Sequence, residues 1–264
     1  MTQPIAVIQL RKEPHYRRNA FEQGLKRLGY GIVVDTKNVL QMRPAGPDDL
    51  LVMWNKKAGL EERQADEWER HGGTVIVTEN AYLQKVDKSS YAISTHGHNG
   101  SGWYPVGDED RFSKLGFELK PDRPQVDMKR DLWLVVGQRG IGSKLMASPP
   151  QWGEKTFKKL KDLKLNVHLR PHPGNFAPKV PLLDDLKRTG ICCVWSSSAG
   201  VMALVEGVVV QHSAPHWICS GAGGPHRGAV LNRMAHGQWS VAEIESGEPF
   251  ARMQAEGWGP RTWR

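Results

Sequence analysis

The sequence predicts an α/β protein built from two Rossmann-like domains that face each other across a cleft. Short apolar runs alternate with helical patterns along the chain, and a polar stretch containing three prolines interrupts this alternation once. Alternating strands and helices are typical of parallel sheets covered by helices. The length of 264 residues suffices for two domains of ordinary size.

The first half predicts a Rossmann-like domain over residues 1–104, followed by a linker over 105–130. Its apolar runs predict strands, and Phe21, Leu25 and Leu28 are spaced along one face of a helix. The predicted strands cover 5–9, 32–34, 50–54, 74–78 and 91–95, and the predicted helices 19–28 and 61–70. The glycine-rich segment 96–103 is expected to be an ordered loop or a mobile lid.

The second half predicts another Rossmann-like domain over residues 131–264, in which the alternation resumes. Ser240 followed by Glu243 has the spacing of a capping box, so a helix is expected to begin there. The predicted strands cover 132–136, 166–169, 191–195 and 208–211. The predicted helices cover 150–163, 181–188, 199–206, 229–236 and 241–250.

Composition indicates an intracellular protein with an anionic partner. Lysine and arginine number 36 against 28 acidic residues, giving a formal charge of +8 and a pI near 9.4. The three cysteines cannot form a disulfide framework, which favours a reducing compartment. The amino terminus lacks the pattern of a secretory signal, and no apolar run is long enough to span a bilayer. We therefore expect a cytoplasmic protein.

Two of the predicted strands end in loops suited to binding an anion. Arg170 and His172 follow the strand at 166–169 and are held between prolines. A run of serines, Ser196, Ser197 and Ser198, follows the strand at 191–195 and precedes a helix. In open α/β sheets ligands bind at the carboxyl ends of strands, and a helix that begins there directs its N–H groups toward them. These loops predict a phosphate or diphosphate site.

A third loop, containing Arg139 and Gly140, follows the strand at 132–136, and its glycines allow close approach of a ligand. Glu206 ends the helix after the serines, where a carboxylate is unfavourable, so it is a candidate for binding ribose. Simpler interpretations stay open: His172 bonding only to backbone, the serines acting only as an N-cap, and Glu206 being a solvated carboxylate. Neither a Walker loop nor a G-x-G-x-x-G fingerprint occurs.

A strand followed by R-P-H-P, then a strand followed by W-S-S-S and a helix ending in Glu, is similar to the nucleotide-binding half of GT-B glycosyltransferases. The chain resembles capsule-polysaccharide and Kdo-transferase-like enzymes, and sialyltransferases with a His-Pro motif and a serine pair. The resemblance covers roughly residues 132–217, and it implies that the domain over 131–264 binds the nucleotide sugar and the domain over 1–104 lies on the acceptor side. The amino half, with its H-N-G-S-G loop, is also similar to phage-encoded proteins of this kind.

The resemblance implies a role for each residue that matches its motifs. His172, Ser196 and Ser197 would contact the donor phosphates, and Glu206 the ribose or base. We add Arg139, Gly140, Arg170 and Ser198 to the donor site from charge and position alone. The chain departs from the pattern because it is short for a GT-B enzyme. Its amino half also lacks the acid-then-glycine motif that identifies the catalytic base.

The activity implied is transfer of a sugar from a nucleotide-sugar donor, UDP- or CMP-linked, to a hydroxyl acceptor. Arg170, His172 and helix amides would stabilise the leaving group without a metal, so neither a metal nor a further cofactor is expected. The candidates for the base that deprotonates the acceptor are His98, His96 and Asp35, with Glu79 at another strand end.

The basic residues of the first half favour DNA with a hydroxylated base as the acceptor, as in phage genome modification. Such a protein would act in the host cytoplasm. The residues expected to contact the DNA are Arg11, Lys12, Arg17, Arg18, Lys56 and Lys57. The alternatives are a capsular or surface polysaccharide acceptor, a non-catalytic nucleic-acid-binding protein, and hydrolysis or epimerisation of a sugar nucleotide. No oligomeric state is predicted.

Overall fold

The fold comes from a computed structural model that describes residues 3–13, 15–34, 44–83, 90–123, 126–129, 131–176 and 179–260. The chain divides into two compact units, each made of separate segments. The first unit consists of residues 1–108, 142–144 and 236–264, and the second of 109–141 and 145–235. Among the described residues, no helix has the length and apolar character needed to cross a membrane.

The first unit is a six-stranded sheet covered by helices. Its strands are β1 (Ile5–Ile8), β2 (Gly31–Val34), β3 (Leu50–Trp54), β4 (Thr74–Asn80), β5 (Ser90–Thr95) and β10 (Gln238–Ser240). Its helices are α1 (His15–Arg27), α2 (Leu60–Arg70), α8 (Val241–Ser246) and α9 (Glu248–Ala255). The strand order is β10-β5-β4-β3-β1-β2, in which β1 to β4 are parallel.

Alternating side chains of the parallel strands divide this unit into two cores. Val7, Leu51 and Val75 face one way and pack with Ala65 and Trp68 of α2. Their neighbours along the strands face the opposite way and pack with α1, α8 and α9. Because both faces are covered, β1 and β3 are apolar along their whole length, which is why the sequence predicted these strands.

The other edge of this sheet differs from the prediction, because β5 and β10 pair in antiparallel fashion. β10 was not predicted, and it joins residues 238–240 to the sheet of the first unit. The predicted division had instead placed everything after residue 131 in the second domain. The capping box is present: Ser240 accepts from the Glu243 N–H, and the Glu243 carboxylate accepts from the Ser240 N–H. One short helix ends at Ser246 and a second begins at Glu248, where a single helix was predicted.

The second unit is a four-stranded, entirely parallel sheet in the order β7-β6-β8-β9. Its strands are β6 (Leu132–Val136), β7 (Val167–Arg170), β8 (Thr189–Val194) and β9 (Val209–His212). Its helices are α3 (Arg111–Lys114), α4 (Trp152–Asp162), α5 (Leu182–Lys187), α6 (Ser198–Val205) and α7 (Arg227–Ala235). The sequence therefore predicted the α/β class and every strand of this sheet.

Close packing of α1 against α8 and α9 depends on a glycine, and this gives a prediction for stability. A Cβ atom on Gly24 would lie 2.1 Å from the Ile244 carbonyl oxygen and 2.9 Å from a ring carbon of Phe250. We expect Gly24→Ala to lower the free energy of unfolding by about 3 kcal/mol in urea titrations, because these helices must separate.

Gly223→Ala is the matched control for this substitution. A Cβ atom on Gly223 would have no described atom within 4 Å, and the φ of −128° suits any residue. Its effect is therefore expected to stay within about 0.5 kcal/mol. Equal stability of the two variants would contradict the packing described for Gly24.

Candidate anion-binding site

The candidate site lies at the carboxyl edge of the four-stranded sheet, where the loops after β6, β7 and β8 emerge side by side. The first two loops are in direct contact. The Gly137 N–H donates to the Arg170 carbonyl oxygen at 2.8 Å, and a Cβ on Gly137 would lie 3.1 Å from the His172 nitrogen. Gly153 in the first turn of α4 also packs on Gly137. The start of α4 therefore lies close to these loops.

Arg139 and His172, both predicted as donor-binding residues, are brought together over Gly174. A Cβ on Gly174 would lie 2.8 Å from Arg139 Nη1 and 3.1 Å from His172 Nδ1. Arg139 is exposed and His172 is partly buried. Both side chains thus lie beside Gly174 at the sheet edge, where a guanidinium and an imidazole can each donate to a phosphate oxygen.

The hydrogen bonds of His172 select one tautomer. The Gly174 N–H donates to His172 Nδ1 at 2.9 Å, so the neutral ring carries its proton on Nε2. Partial burial lowers the pKa of His172 below 6.5, and the positive charge of Arg139 lowers it further. At neutral pH the ring is therefore uncharged and donates a hydrogen bond from Nε2.

This tautomer gives a prediction for nuclear magnetic resonance. In the ligand-free protein we expect a His172 titration midpoint below 6.5, with the proton on Nε2, in ¹H–¹⁵N spectra of the ring. Because the folded pKa is the lower one, the stabilisation from neutral His172 is complete above pH 6.5. It is lost as the pH falls toward the folded midpoint. A midpoint above 6.5, or a proton on Nδ1, would contradict this geometry.

The serine loop follows β8, one strand beyond the loop that contains Arg139. Ser197 is the N-cap of α6, and its hydroxyl oxygen accepts from the Ala199 N–H at 3.2 Å. Ser198 is exposed, and Trp195 anchors the loop through a bond of 2.8 Å from Nε1 to the Met146 carbonyl oxygen. At ordinary strand spacing this loop lies about 10 Å from the loop after β7. Contact of the serines with the donor phosphates therefore stays a prediction.

Arg170 has a structural role in place of the predicted donor contact. Its guanidinium pairs with the buried carboxylate of Asp185 and donates to the Val180 carbonyl oxygen at 2.9 Å. The same carboxylate accepts from Arg188 at 2.5 Å. Arg170 is only 9% exposed. Its guanidinium is thus directed into the protein, toward α5.

Glu206 lies at the opposite end of α6 from the serines. It is the C-cap residue, and a helix of eight residues at 1.5 Å per residue puts about 12 Å between its two ends. A helix that follows a parallel strand runs back toward the amino edge of the sheet, so Glu206 is carried away from the phosphate loops. It is therefore unsuited to bind a ribose attached to a phosphate at His172.

His96 and His98, predicted as catalytic bases, lie elsewhere because β5 is antiparallel. The His96 N–H donates to the carbonyl oxygen of Val75, close to the amino end of β4, and its Nδ1 lies 2.8 Å from Glu69. His98 is only 6% exposed. Both residues are thus directed away from the carboxyl edge of the parallel strands. Asp35 lies outside the described residues.

Most of the predicted DNA-contacting residues have partners within the first unit. Lys56 is 8% exposed, and its Nζ lies 3.0 Å from the His96 carbonyl oxygen and 3.5 Å from Glu69. Arg17 stacks 4.0 Å from the Trp54 ring centroid. Arg18 pairs with Glu22 at 3.0 Å and Lys57 with Glu61 at 3.7 Å, while Arg11 and Lys12 are exposed. These six residues thus do not form one free basic surface.

Sequence reasoning missed the glycines that position the site. Gly137 and Gly174 have no charge or hydroxyl, yet a side chain at Gly137 would press on the backbone at His172, and one at Gly174 would displace Arg139. The available signal was position: Gly137 directly follows a buried strand, and Gly174 directly follows P-H-P.

Two solved structures align with nearly the whole of this chain. This chain aligns with Thermosulfurimonas dismutans KpsC, beta Kdo 2,7 transferase, with a TM-score of 0.58 and 13% identity, over 93% of this chain and 98% of that one. It aligns with Thermosulfurimonas dismutans KpsC, beta Kdo 2,4 transferase, with a TM-score of 0.54 and 13% identity, over 90% and 91%. The fold is similar to theirs. No family model and no curated protein matches the sequence.

Proposed function

We propose that this protein is a glycosyltransferase that moves a sugar from a nucleotide-sugar donor to a hydroxyl of a saccharide acceptor. The likeness of fold to two Kdo transferases over nearly the whole chain supports the class of reaction. The pairing of Arg139 with His172 at the carboxyl edge of a parallel sheet is the observation on which the proposal depends. That edge is where ligands of such folds bind.

The proposed reaction is substitution at the anomeric carbon of the donor sugar. The bond from this carbon to the phosphate oxygen breaks, its electron pair stays on that oxygen, and the acceptor oxygen forms the new bond. Arg139 and the Nε2–H of His172 would stabilise the charge that develops on the leaving phosphate.

The acceptor hydroxyl gives up its proton to a general base as the new bond forms. Among the predicted candidates, Glu79 of the first unit lies near the carboxyl end of β4, and one of its carboxylate oxygens accepts a hydrogen bond from the Tyr82 hydroxyl. Burial, followed by the charge of Glu79, raises the pKa of Tyr82 well above 10, so Tyr82 stays a donor.

We favour a saccharide acceptor over DNA. The two solved structures of similar fold are named as Kdo transferases, and neither name refers to nucleic acid. The buried Lys56 and the paired Arg18 and Lys57 are also poorly placed to neutralise a phosphate backbone.

Thermal shift with a panel of nucleotides tests the proposal, because a ligand that binds only the folded state raises Tm by mass action. We expect CMP or a nucleoside diphosphate to raise Tm, and the matching sugar nucleotide to transfer its sugar to a saccharide. No shift with any nucleotide, together with salt-sensitive retention on DNA, would instead indicate the non-catalytic nucleic-acid-binding alternative. Release of free sugar without an acceptor would indicate hydrolysis.

A further inference from the structure

One aromatic side chain next to the candidate site is exposed to solvent. Phe176 is 74% exposed, more than any other large apolar side chain in the described part of the chain. The other phenylalanines that the structure describes are buried or partly buried, as is usual for this residue. A large flat ring in water at this position calls for an explanation beyond packing.

The backbone holds Phe176 close to His172. The N–H groups of Asn175 and Phe176 both donate to the His172 carbonyl oxygen, at 2.9 and 3.1 Å, which closes a single tight turn. The Gly174 N–H donates to His172 Nδ1 within the same turn. The ring of Phe176 is therefore attached to the segment that presents the imidazole to the phosphate.

We propose that Phe176 stacks on the nucleobase of the donor nucleotide. The inference rests on the proposed function, since it requires a nucleotide phosphate at Arg139 and His172. In a nucleotide the base is separated from the phosphate by a single ribose, so an aromatic ring one turn from the phosphate ligand is within reach of it. Every nucleobase has an apolar face, and stacking on an aromatic ring is favourable for each of them.

The neighbours of Phe176 favour a base over a sugar as the stacked group. A sugar is held largely by hydrogen bonds to its hydroxyls, and of Pro173, Gly174 and Asn175 before the ring only Asn175 has a polar side chain. Such a surface suits the face of a base.

Isothermal titration calorimetry with CMP, UDP and inorganic diphosphate tests this inference. We expect Phe176→Ala to weaken the better-bound nucleotide about ten-fold and to leave the Kd for diphosphate unchanged. Phe176→Trp should retain nucleotide affinity because it keeps the aromatic face. Leu163→Ala removes another apolar side chain, 63% exposed, from the end of α4 and should change neither Kd.

The remaining outcomes separate this inference from the proposed function. If Phe176→Ala binds nucleotide as tightly as the wild type, the stacking inference is wrong. It is also wrong if the variant loses diphosphate affinity to the same extent, because Phe176 would then only support the loop. If the wild type binds diphosphate but neither CMP nor UDP, or binds none of the three, the proposed donor fails and the inference fails with it.

Discussion

The His172→Ala variant is expected to lose about 100-fold in kcat for sugar transfer while retaining its fold. The loss falls mainly on kcat, because the negative charge on the leaving phosphate develops in the transition state. The methyl group of alanine offers no donor in place of Nε2–H, and Arg139 is left to stabilise that charge alone. Steady-state kinetics with the sugar nucleotide identified by thermal shift provides the measurement.

Two further variants test whether the lost rate comes from the Nε2–H donor of His172. His172→Gln places an amide N–H near the position of Nε2 and should recover part of the lost rate. His168→Ala removes an exposed histidine from β7 and should leave turnover unchanged. Turnover of His172→Ala close to the wild-type value would remove His172 from the mechanism.

The Asp185→Asn variant is expected to lose about 3 kcal/mol in the free energy of unfolding. Asp185 is 1% exposed and accepts hydrogen bonds from both Arg170 and Arg188. An amide of the same shape leaves the charge of Arg170, itself only 9% exposed, without a counter-charge. Asp184→Asn removes an exposed partner of Lys187 one position earlier and should cost less than about 0.5 kcal/mol.

The difference between wild type and Asp185→Asn should also depend on pH. Burial raises the pKa of Asp185, but the hydrogen bonds and charges of Arg188 and Arg170 outweigh it, so the folded pKa lies below 3.8. A depressed folded pKa contributes stability that is present above 3.8 and is lost as the pH falls through the folded value. Urea titrations between pH 7 and pH 3 check this, and a difference that stays constant would contradict it.

Local sequence signals predicted the parallel parts of both sheets well. β6 covers the predicted residues 132–136, and the run of buried residues in β3 matches the prediction at 50–54. Both strands are covered on two faces, so their apolar runs are continuous and end sharply in polar loops. The direction of β5 and the pairing of β10 had no such signal, because both depend on contacts with residues far along the chain.

In the candidate site, too, the sequence predicted the positions of residues that follow strands, but not the contacts that their side chains make with residues further along the chain. His172 and Arg139 were predicted from their positions after strands, and the structure brings them together. Arg170 also lies at the end of a strand, but its guanidinium pairs with the carboxylate of Asp185, fifteen residues further on. His96 and His98 were predicted from the glycine-rich loop after the strand at 91–95, and because β5 is antiparallel to β4, this loop begins at the amino edge of the parallel strands.

The return of residues 236–260 to the first unit affects the order in which the two units are completed on the ribosome. The segments of the second unit, 109–141 and 145–235, have all been synthesised before β10, α8 and α9 are made. Until then, the apolar face of α1 lacks its partners Ile244 and Phe250. The core between the sheet and α1 is therefore completed last, and a nascent chain paused near residue 235 would expose that face to chaperones.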